Sequence, residues 1–474
     1  MPELLTGAAP ELDARVTEFV AGHRLPGAMA GVIAGGGLAW SAGAGFADVA
    51  GRRAPDAATL YRIASITKTF TATAIMRLAE AGRLHLDDSA VAHLPELGQA
   101  SSPFGPIETV TIRRLLAHQA GLPVDPPGTD LSVLGESGPA YEGLTERNLA
   151  RAGELGPRIP PGAGHKYSNL GYQLLGEIVA RVSGSPYTDY VRESILGPLG
   201  LADTAFEPLP PELAGRRATG YQDRTFSDQL EPARAFPAFW AEGGLWSCLA
   251  DVARWVSFQL SPYQHGPHGD QPPAAPVLSP DGLRAMHQPR YLIDAAWTQA
   301  RGIGWFAVRR DDAVWIQHSG GLPGYRSNAC FDPGTRVGAV VLLNGGGDAA
   351  ALAMDLAGIG RRAVLARPRG IEAPVPVPVQ WRPLLGLYAL PAGPGQAYDV
   401  LRLEWRDGQL TFLDPAEPAW RPVLEPAGEP DVFVVGPGHR QSGELVRFRR
   451  RADGRVTSAF LAEFTLVRLD PLDR

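Results

Sequence analysis

Lysine is nearly absent from this chain. Of 44 basic residues only Lys68 and Lys166 are lysines; the others are arginine. Coding bias accounts for the scarcity but not for where the two survivors sit. A buried amine can give up its proton, which a guanidinium effectively cannot, so both lysines are candidates for chemistry that arginine cannot perform. Cysteine is equally rare: Cys248 and Cys330 are not spaced as metal ligands and read as buried thiols. No apolar run approaches the length that spans a bilayer. The start, Met1-Pro2-Glu3, lacks the basic stretch and apolar run of a signal peptide. The expected location is therefore the cytoplasm, with export left open if a leader has been trimmed away. The net charge of −6 is modest and spread along the chain, so nothing resembles a nucleic-acid footprint. No G-x-S-x-G elbow, Walker loop, dinucleotide fingerprint or convincing zinc spacing occurs. The expectation is no cofactor, no metal, no nucleic-acid partner and no membrane.

What is present is a globular composition, 45% hydrophobic and 20% charged, over 474 residues, too many for one compact core. Residues 10–24 suit an amphipathic helix. Strand-like runs at Ala28–Ile33 and Leu38–Ala42, joined by Gly35-Gly36-Gly37, signal a hairpin. Helical stretches are expected over Ser65–Ala81, Thr111–His118, Asn169–Val182, Ala250–Leu260 and Ala350–Leu365, and strands over Gly304–Val308, Val314–Gln317, Ser327–Phe331 and Val337–Leu343. A hairpin near the start and strands near the end suggest one mixed sheet assembled from both ends, with a helical middle forming a second lobe. This is α+β organisation. Ser261–Pro276, with His265 and His268, reads as a solvated loop. The Gly- and Pro-rich segment from Leu122 to Pro161 is expected to shape one wall of a cleft. After Arg367 the texture changes: Ala373–Pro378 alternates proline and valine, an extended linker, and six short alternating runs follow. They read as a small all-β barrel or sandwich.

Three short motifs carry chemistry. The first is Ser65-Ile66-Thr67-Lys68. On a helix, positions i and i+3 share a face, so a serine in the first turn and a lysine one turn later bring Oγ and Nζ together. The helix N-terminus favours negative charge developing there. An amine lowered by burial towards roughly 7–8 can take the serine proton. Four-residue matches of this kind arise by chance in most long chains, but this lysine is one of two and stands at the head of an apolar helix. The second motif is Tyr167-Ser168-Asn169, directly before a helix: a tyrosine near a lysine can relay a proton, and an asparagine can bond a substrate amide or simply cap the helix. Lys166, next to it, reads as a surface or oxygen-binding residue. The third is His318-Ser319-Gly320-Gly321 at the end of a strand, where glycine lets a substrate backbone approach. The Gly321 N–H can pair with the Ser65 N–H to hold an oxyanion, a contribution of roughly 2.7–4 kcal/mol per donor.

The order Ser-x-x-Lys, Tyr-x-Asn, His-x-Gly resembles the β-lactamase-like serine hydrolases. The Tyr-x-Asn form is similar to class C β-lactamases, D-Ala-D-Ala carboxypeptidases, related esterases and D-aminopeptidases. Thr111-Ile112-Arg113-Arg114-Leu115-Leu116-Ala117-His118, Pro161-Gly162 and Gly243-Gly244-Leu245-Trp246-Ser247 fit the same family, and the resemblance covers roughly residues 10–366. It implies a β-lactamase-like domain over residues 1–366, an antiparallel sheet flanked by helices plus a helical lobe. A Pro-rich linker (367–383) and an all-β, lipocalin-like barrel (384–474) complete the expected organisation. It implies further that Ser65 forms an acyl-enzyme, that Lys68 and Tyr167 share the general-base work, that Asn169 orients the acyl side chain, and that His318 and Gly320 bind substrate.

One departure bears on substrate. His318 stands where β-lactamases and carboxypeptidases carry lysine, and a histidine is mostly neutral at pH 7. The His-x-Gly form looks more like D-aminopeptidases, compartmentalised archaeal peptidases of this group and some esterases. The expectation is therefore a hydrolase of a small ester, amide or peptide, esterase or D-aminopeptidase-like, with weak β-lactam activity or a retired binding homologue as alternatives. The β-domain is a candidate for ligand binding or homo-oligomer formation.

Overall fold

The computed structural model describes residues 5–126, 149–222, 240–263, 277–310, 312–366, 376–389, 400–406, 408–413, 422–436, 441–462 and 464–469. They fall into two compact units, with the second beginning after Arg367. Most of the expected Ser261–Pro276 loop, residues 264–276 with His265 and His268, and the stretch 127–148 of the expected cleft wall lie outside the described residues.

In the first unit an eight-stranded sheet draws on both ends of the sequence. Its order is Gly37–Gly45, Gly27–Ala34, Val337–Leu343, Tyr325–Asp332, Ala313–Leu322, Phe306–Arg310, Gln299–Arg301, Tyr291–Leu292. Ala28 lies opposite Leu343 and Val32 opposite Ala339, so partners roughly three hundred residues apart meet in one ladder. The sheet is antiparallel throughout rather than mixed. Short links between the later strands leave no room for the crossover that a parallel pair needs.

Strand Gly27–Ala34 is buried along its whole length, and both its faces are covered. Ala28, Ala30 and Val32 pack in one core with Leu12, Val16 and Phe19 of helix Ala9–Gly22 and Leu352, Leu356 and Ile359 of helix Ala349–Ala366. Met29 and Ile33 face a second core that contains Leu249, Val252, Trp255 and Phe70. Burial on both faces explains why this strand reads as an apolar run without alternation.

Helix Thr67–Glu80 lies at the centre of that second core and buries eleven residues, four of them threonines. β-Branched threonine is a modest helix former, but here each hydroxyl is used. Thr67 Oγ1 accepts from the Leu245 N–H at 3.3 Å, Thr69 Oγ1 from the Trp255 indole at 3.0 Å, and Thr71 Oγ1 donates to the Ala241 carbonyl at 2.6 Å. Thr73 bonds back to the Thr69 carbonyl at 2.9 Å. Phe70 stacks on Trp255 with ring centres 3.8 Å apart. A helix satisfied on every side is held as a fixed post.

A three-stranded sheet of Leu60–Arg62, Leu245–Cys248 and Ala205–Phe206 was not anticipated. Strands of two to four residues are too short to show a period. Both cysteines are buried and unpaired, and burial pushes their thiols up to about 12.

The second unit is a closed eight-stranded antiparallel barrel, sealed where Leu387 pairs with Leu469. Tyr388, Phe412, Phe433, Val446 and Phe448 fill it. Six sequence runs become eight strands for two reasons. The run Val456–Leu469 folds back on itself as Val456–Leu461 and Phe464–Leu469, and Val423–Pro426 is a short strand hidden between prolines. Val379–Leu384, partly inside the expected linker, forms a 3-10 turn. No helix among the described residues is long and apolar enough to cross a membrane. Phe412 is fully buried, so Phe412→Ala should cost about 3–5 kcal/mol, read as an earlier transition in urea unfolding.

Candidate active site

Ser65 lies in a 3-10 turn, Ala64–Ile66, that leads into helix Thr67–Glu80, rather than in the first α-helical turn. The tighter winding brings positions i and i+3 nearly into line, and Lys68 Nζ sits 3.1 Å from Ser65 Oγ. The preceding residue, Ala64, has φ +47, a left-handed conformation that costs about 1–3 kcal/mol outside glycine. Its neighbours hold it there. The Ile63 N–H donates to the Leu245 carbonyl at 3.1 Å, and the Ser327 hydroxyl donates to the Ile63 carbonyl at 2.8 Å.

The third motif closes on this turn. It lies within strand Ala313–Leu322, not beyond a strand end, because its pairing with Tyr325–Asp332 runs on through Leu322. A Cβ on Gly320 would stand 2.2 Å from the Ile63 carbonyl oxygen and 2.3 Å from Ser327 Oγ. Glycine here lets the strand press against the serine turn. Gly321, the expected oxyanion donor, lies opposite Arg326 in the same ladder.

Lys68 has no solvent exposure. Besides Ser65 it donates to the Glu242 carbonyl oxygen at 2.7 Å. Its Nζ lies 5.1 Å from the ring centre of Tyr167 and 5.7 Å from that of Tyr172. Tyr167 is stacked on His118 at 4.2 Å. Ser168 caps the next helix through the Gly171 N–H, so Ser168 takes the capping role open to Asn169. Asn169 instead donates to Asp125 at 2.9 Å. Lys166 serves the backbone, its N–H donating to the His118 carbonyl at 2.9 Å.

His118 and His318 are both buried, and desolvation, followed by the charge of Arg301, holds both imidazoles well below their ordinary range. His318 Nδ1 lies 2.7 Å from the Ser319 carbonyl oxygen, which fixes the proton on Nδ1. His118 Nδ1 accepts from the Ser168 N–H at 2.9 Å, which fixes the opposite tautomer. His118 also has φ +54, so two strained residues flank the site.

Two further groups escaped the sequence reading. Arg301 is 1% exposed. Its Nε donates to His165 Nε2 at 3.0 Å, its guanidinium carbon lies 3.2 Å from the Phe306 ring centre and 5.4 Å from that of Tyr167, and one terminal nitrogen is buried without a partner. Burial pulls it down to about 9, so it remains a cation at neutral pH, and it forms no ion pair among the described residues. Among 42 arginines nothing in sequence singles it out. Glu242 is buried beside Lys68, and desolvation raises its carboxyl to about 7 against the opposing pull of Lys68. It stands immediately before Gly243-Gly244, which was its only signal. Among the described residues no group of three His, Cys, Asp or Glu side chains is placed to hold a metal ion.

Gly320→Ala should uncouple the strand from the serine turn while the fold is retained, read as a rate of Ser65 labelling by a serine-reactive fluorophosphonate lowered about tenfold or more. The buried imidazoles set a pH limit on stability. His118, His165, His287 and His318 all titrate below their ordinary value because burial disfavours the charged form. Below pH 6.5 the unfolded chain therefore binds protons that the folded chain refuses, and stability is lost as pH falls. Glu242 and Asp251, whose carboxyls burial raises, run the other way. Four imidazoles against two carboxyls predict a thermal midpoint that drops between pH 7 and pH 5; a flat profile would contradict the assignment.

The chain matches the Beta-lactamase family model over residues 12–361. It is 29% identical over 338 residues to Protein flp of Staphylococcus aureus (strain COL), a match covering 68% of this chain and 60% of that protein. It is 36% identical over 239 residues to a putative D-alanyl-D-alanine carboxypeptidase of Escherichia coli (strain K12), covering 45% and 52%. The chain thus spans about three fifths or less of the length of these curated relatives. The octameric penicillin-binding protein homologue from Pyrococcus abyssi shares its fold, with a TM-score of 0.63 at 23% identity, covering 97% of this chain and 99% of that one. SurE does so with a TM-score of 0.58 at 24% identity, covering 98% and 100%. The match of the family model over most of the chain, on a helix-flanked antiparallel sheet, makes this protein a member of the Beta-lactamase family, which includes serine hydrolases such as carboxypeptidases and penicillin-binding proteins.

Proposed function

We propose that the chain hydrolyses an amide or ester bond through an acyl-enzyme on Ser65, and that its preferred substrates are small peptides or peptide-like molecules. The observation that carries this is the fully buried Lys68 amine 3.1 Å from Ser65 Oγ. In the proposed reaction Lys68 Nζ takes the hydroxyl proton as Oγ attacks the carbonyl carbon. Tyr167, against Lys68, shares that proton and passes it to the leaving nitrogen or oxygen; a water then attacks the acyl carbon and Ser65 is regenerated. The N–H groups of Ser65 and Gly321 would hold the oxyanion, Asn169 would orient the acyl side chain, and His318 and Gly320 would contact substrate.

Arg301 bears on the choice of substrate. The neutral His318 supplies no charge where carboxypeptidases carry lysine, but Arg301 supplies a permanent one behind it. A buried cation without an ion-pair partner among the described residues raises the potential of the cleft for anions. This favours a substrate with a carboxylate, as a peptide has, over a neutral ester. A D-aminopeptidase-like or carboxypeptidase-like activity fits better than a plain esterase. The octamer of the Pyrococcus abyssi homologue makes homo-oligomer formation worth testing by light scattering.

Incubation with p-nitrophenyl esters, D-aminoacyl p-nitroanilides, D-Ala dipeptides and a penicillin, followed by intact-mass spectrometry, tests the reading. A covalent adduct and turnover are expected in the wild type and neither in Ser65→Ala; their absence from the wild type with every substrate would defeat it. Arg301→Met should raise KM for the carboxylate-bearing substrates about tenfold or more, the equivalent of ~1.4 kcal/mol, with Arg301→Lys intermediate and the neutral esters little changed.

A further inference from the structure

Lys68 receives two contributions from one residue. The Glu242 carbonyl oxygen accepts its Nζ proton at 2.7 Å, and the carboxyl of the same residue is buried within its electrostatic reach. That carboxyl is not free to turn away, because Gln173 Nε2 donates to its Oε2 at 3.1 Å. Gln173 stands one turn beyond Asn169 on helix Asn169–Ser183, on the face that lines the site. Burying a carboxyl this deeply is costly unless something compensates it. The compensation on hand is the Lys68 amine and a single amide hydrogen bond.

We propose that Glu242 is a positioning residue of the Ser65–Lys68 pair, and that its carboxyl sets how readily Lys68 becomes the neutral amine that activates Ser65. When the carboxyl is protonated, Lys68 has no counter-charge beside it. When it is ionised, the ammonium is favoured and the amine is withheld from Ser65. Glu242 titrates near 7, so the change falls within the working range. The other groups that bear on the pair are few. Tyr167 and Tyr172 present ring faces to Nζ, and the imidazoles of His118 and His318 feel its charge while staying neutral. Arg301 acts on both imidazoles, and Asp125, bonded to Asn169, is the other carboxylate that acts on Glu242. The inference assumes that Ser65 is the nucleophile, but its first test does not depend on turnover.

A chain with two lysines allows a direct measurement. Labelling with lysine enriched in 13C at Cε gives two signals, and Lys166→Arg identifies which belongs to Lys68. In Glu242→Gln the pH at which the Lys68 signal changes should fall by about one unit, the size of shift that a nearby opposite charge produces, while the Lys166 signal stays in place. Gln173→Leu, which weakens the hold on the ionised carboxyl, should move it the same way by less and serves if Glu242→Gln does not fold. Curves that superimpose on the wild type in a folded variant, or that move upward, overturn the proposal. In parallel, the acid limb of kcat/KM should move to lower pH in Glu242→Gln. A purely structural role would lower kcat/KM at every pH and leave the limb in place. If no substrate turns over, the hydrolase reading fails while the lysine titration still decides the role of Glu242.

Discussion

The site depends on keeping one primary amine out of water. Lys68 has no exposed surface, and its Nζ is held between Ser65 Oγ and the Glu242 carbonyl oxygen. The surroundings serve that exclusion. The nucleophile helix is fixed by threonine hydroxyls bonded outwards to Leu245, Trp255 and Ala241, the aromatic rings of Tyr167 and Tyr172 cover the amine, and the motif strand presses in where Gly320 leaves room. Two residues in left-handed conformations, Ala64 and His118, are the local cost. Their strain is tolerable because each is held by groups that the core fixes independently.

The electrostatics of the cleft divide along the same lines. The two imidazoles are neutral, so the lasting positive charge comes from Arg301, a side chain that does not titrate in the working range. His318 is uncharged, and the nearby cation that lowers its pKa further is the buried Arg301. The field is thus decoupled from His318, whose proton is held on Nδ1 by the Ser319 carbonyl.

The parts of this arrangement that were legible in sequence were those with a local signature. Ser65 and Lys68 stood out because a turn spacing coincided with a rare residue type, and Tyr167, Asn169, His318 and Gly320 because their order completes a pattern. Helices of more than ten residues and strand Val337–Leu343 showed their periods or apolar runs. The losses had physical causes too. Arg301 was hidden by its own abundance, and Glu242 looked like any surface acid, since burial is a property of the fold and not of the letter. Two- and three-residue strands have no period to detect. The motif strand was read as too short because its second half, Ser319-Gly320-Gly321, has poor strand propensity and is held by the ladder to Tyr325–Asp332. The division of the last run into two strands rested on a turn at Ala462 that carries no glycine or proline.

The pairing of Gly27–Ala34 with Val337–Leu343 has a consequence for biogenesis. At ordinary elongation rates of about 5–20 residues per second, the first strand leaves the ribosome roughly fifteen seconds to a minute before its partner exists. Until then the chain carries an uncharged, wholly apolar segment, Gly-Ala-Met-Ala-Gly-Val-Ile-Ala, with one edge paired at best to its hairpin mate. Such an edge is a template for association with other chains. The first unit is therefore exposed to association with other chains while it is being made, and a slowed ribosome lengthens that interval.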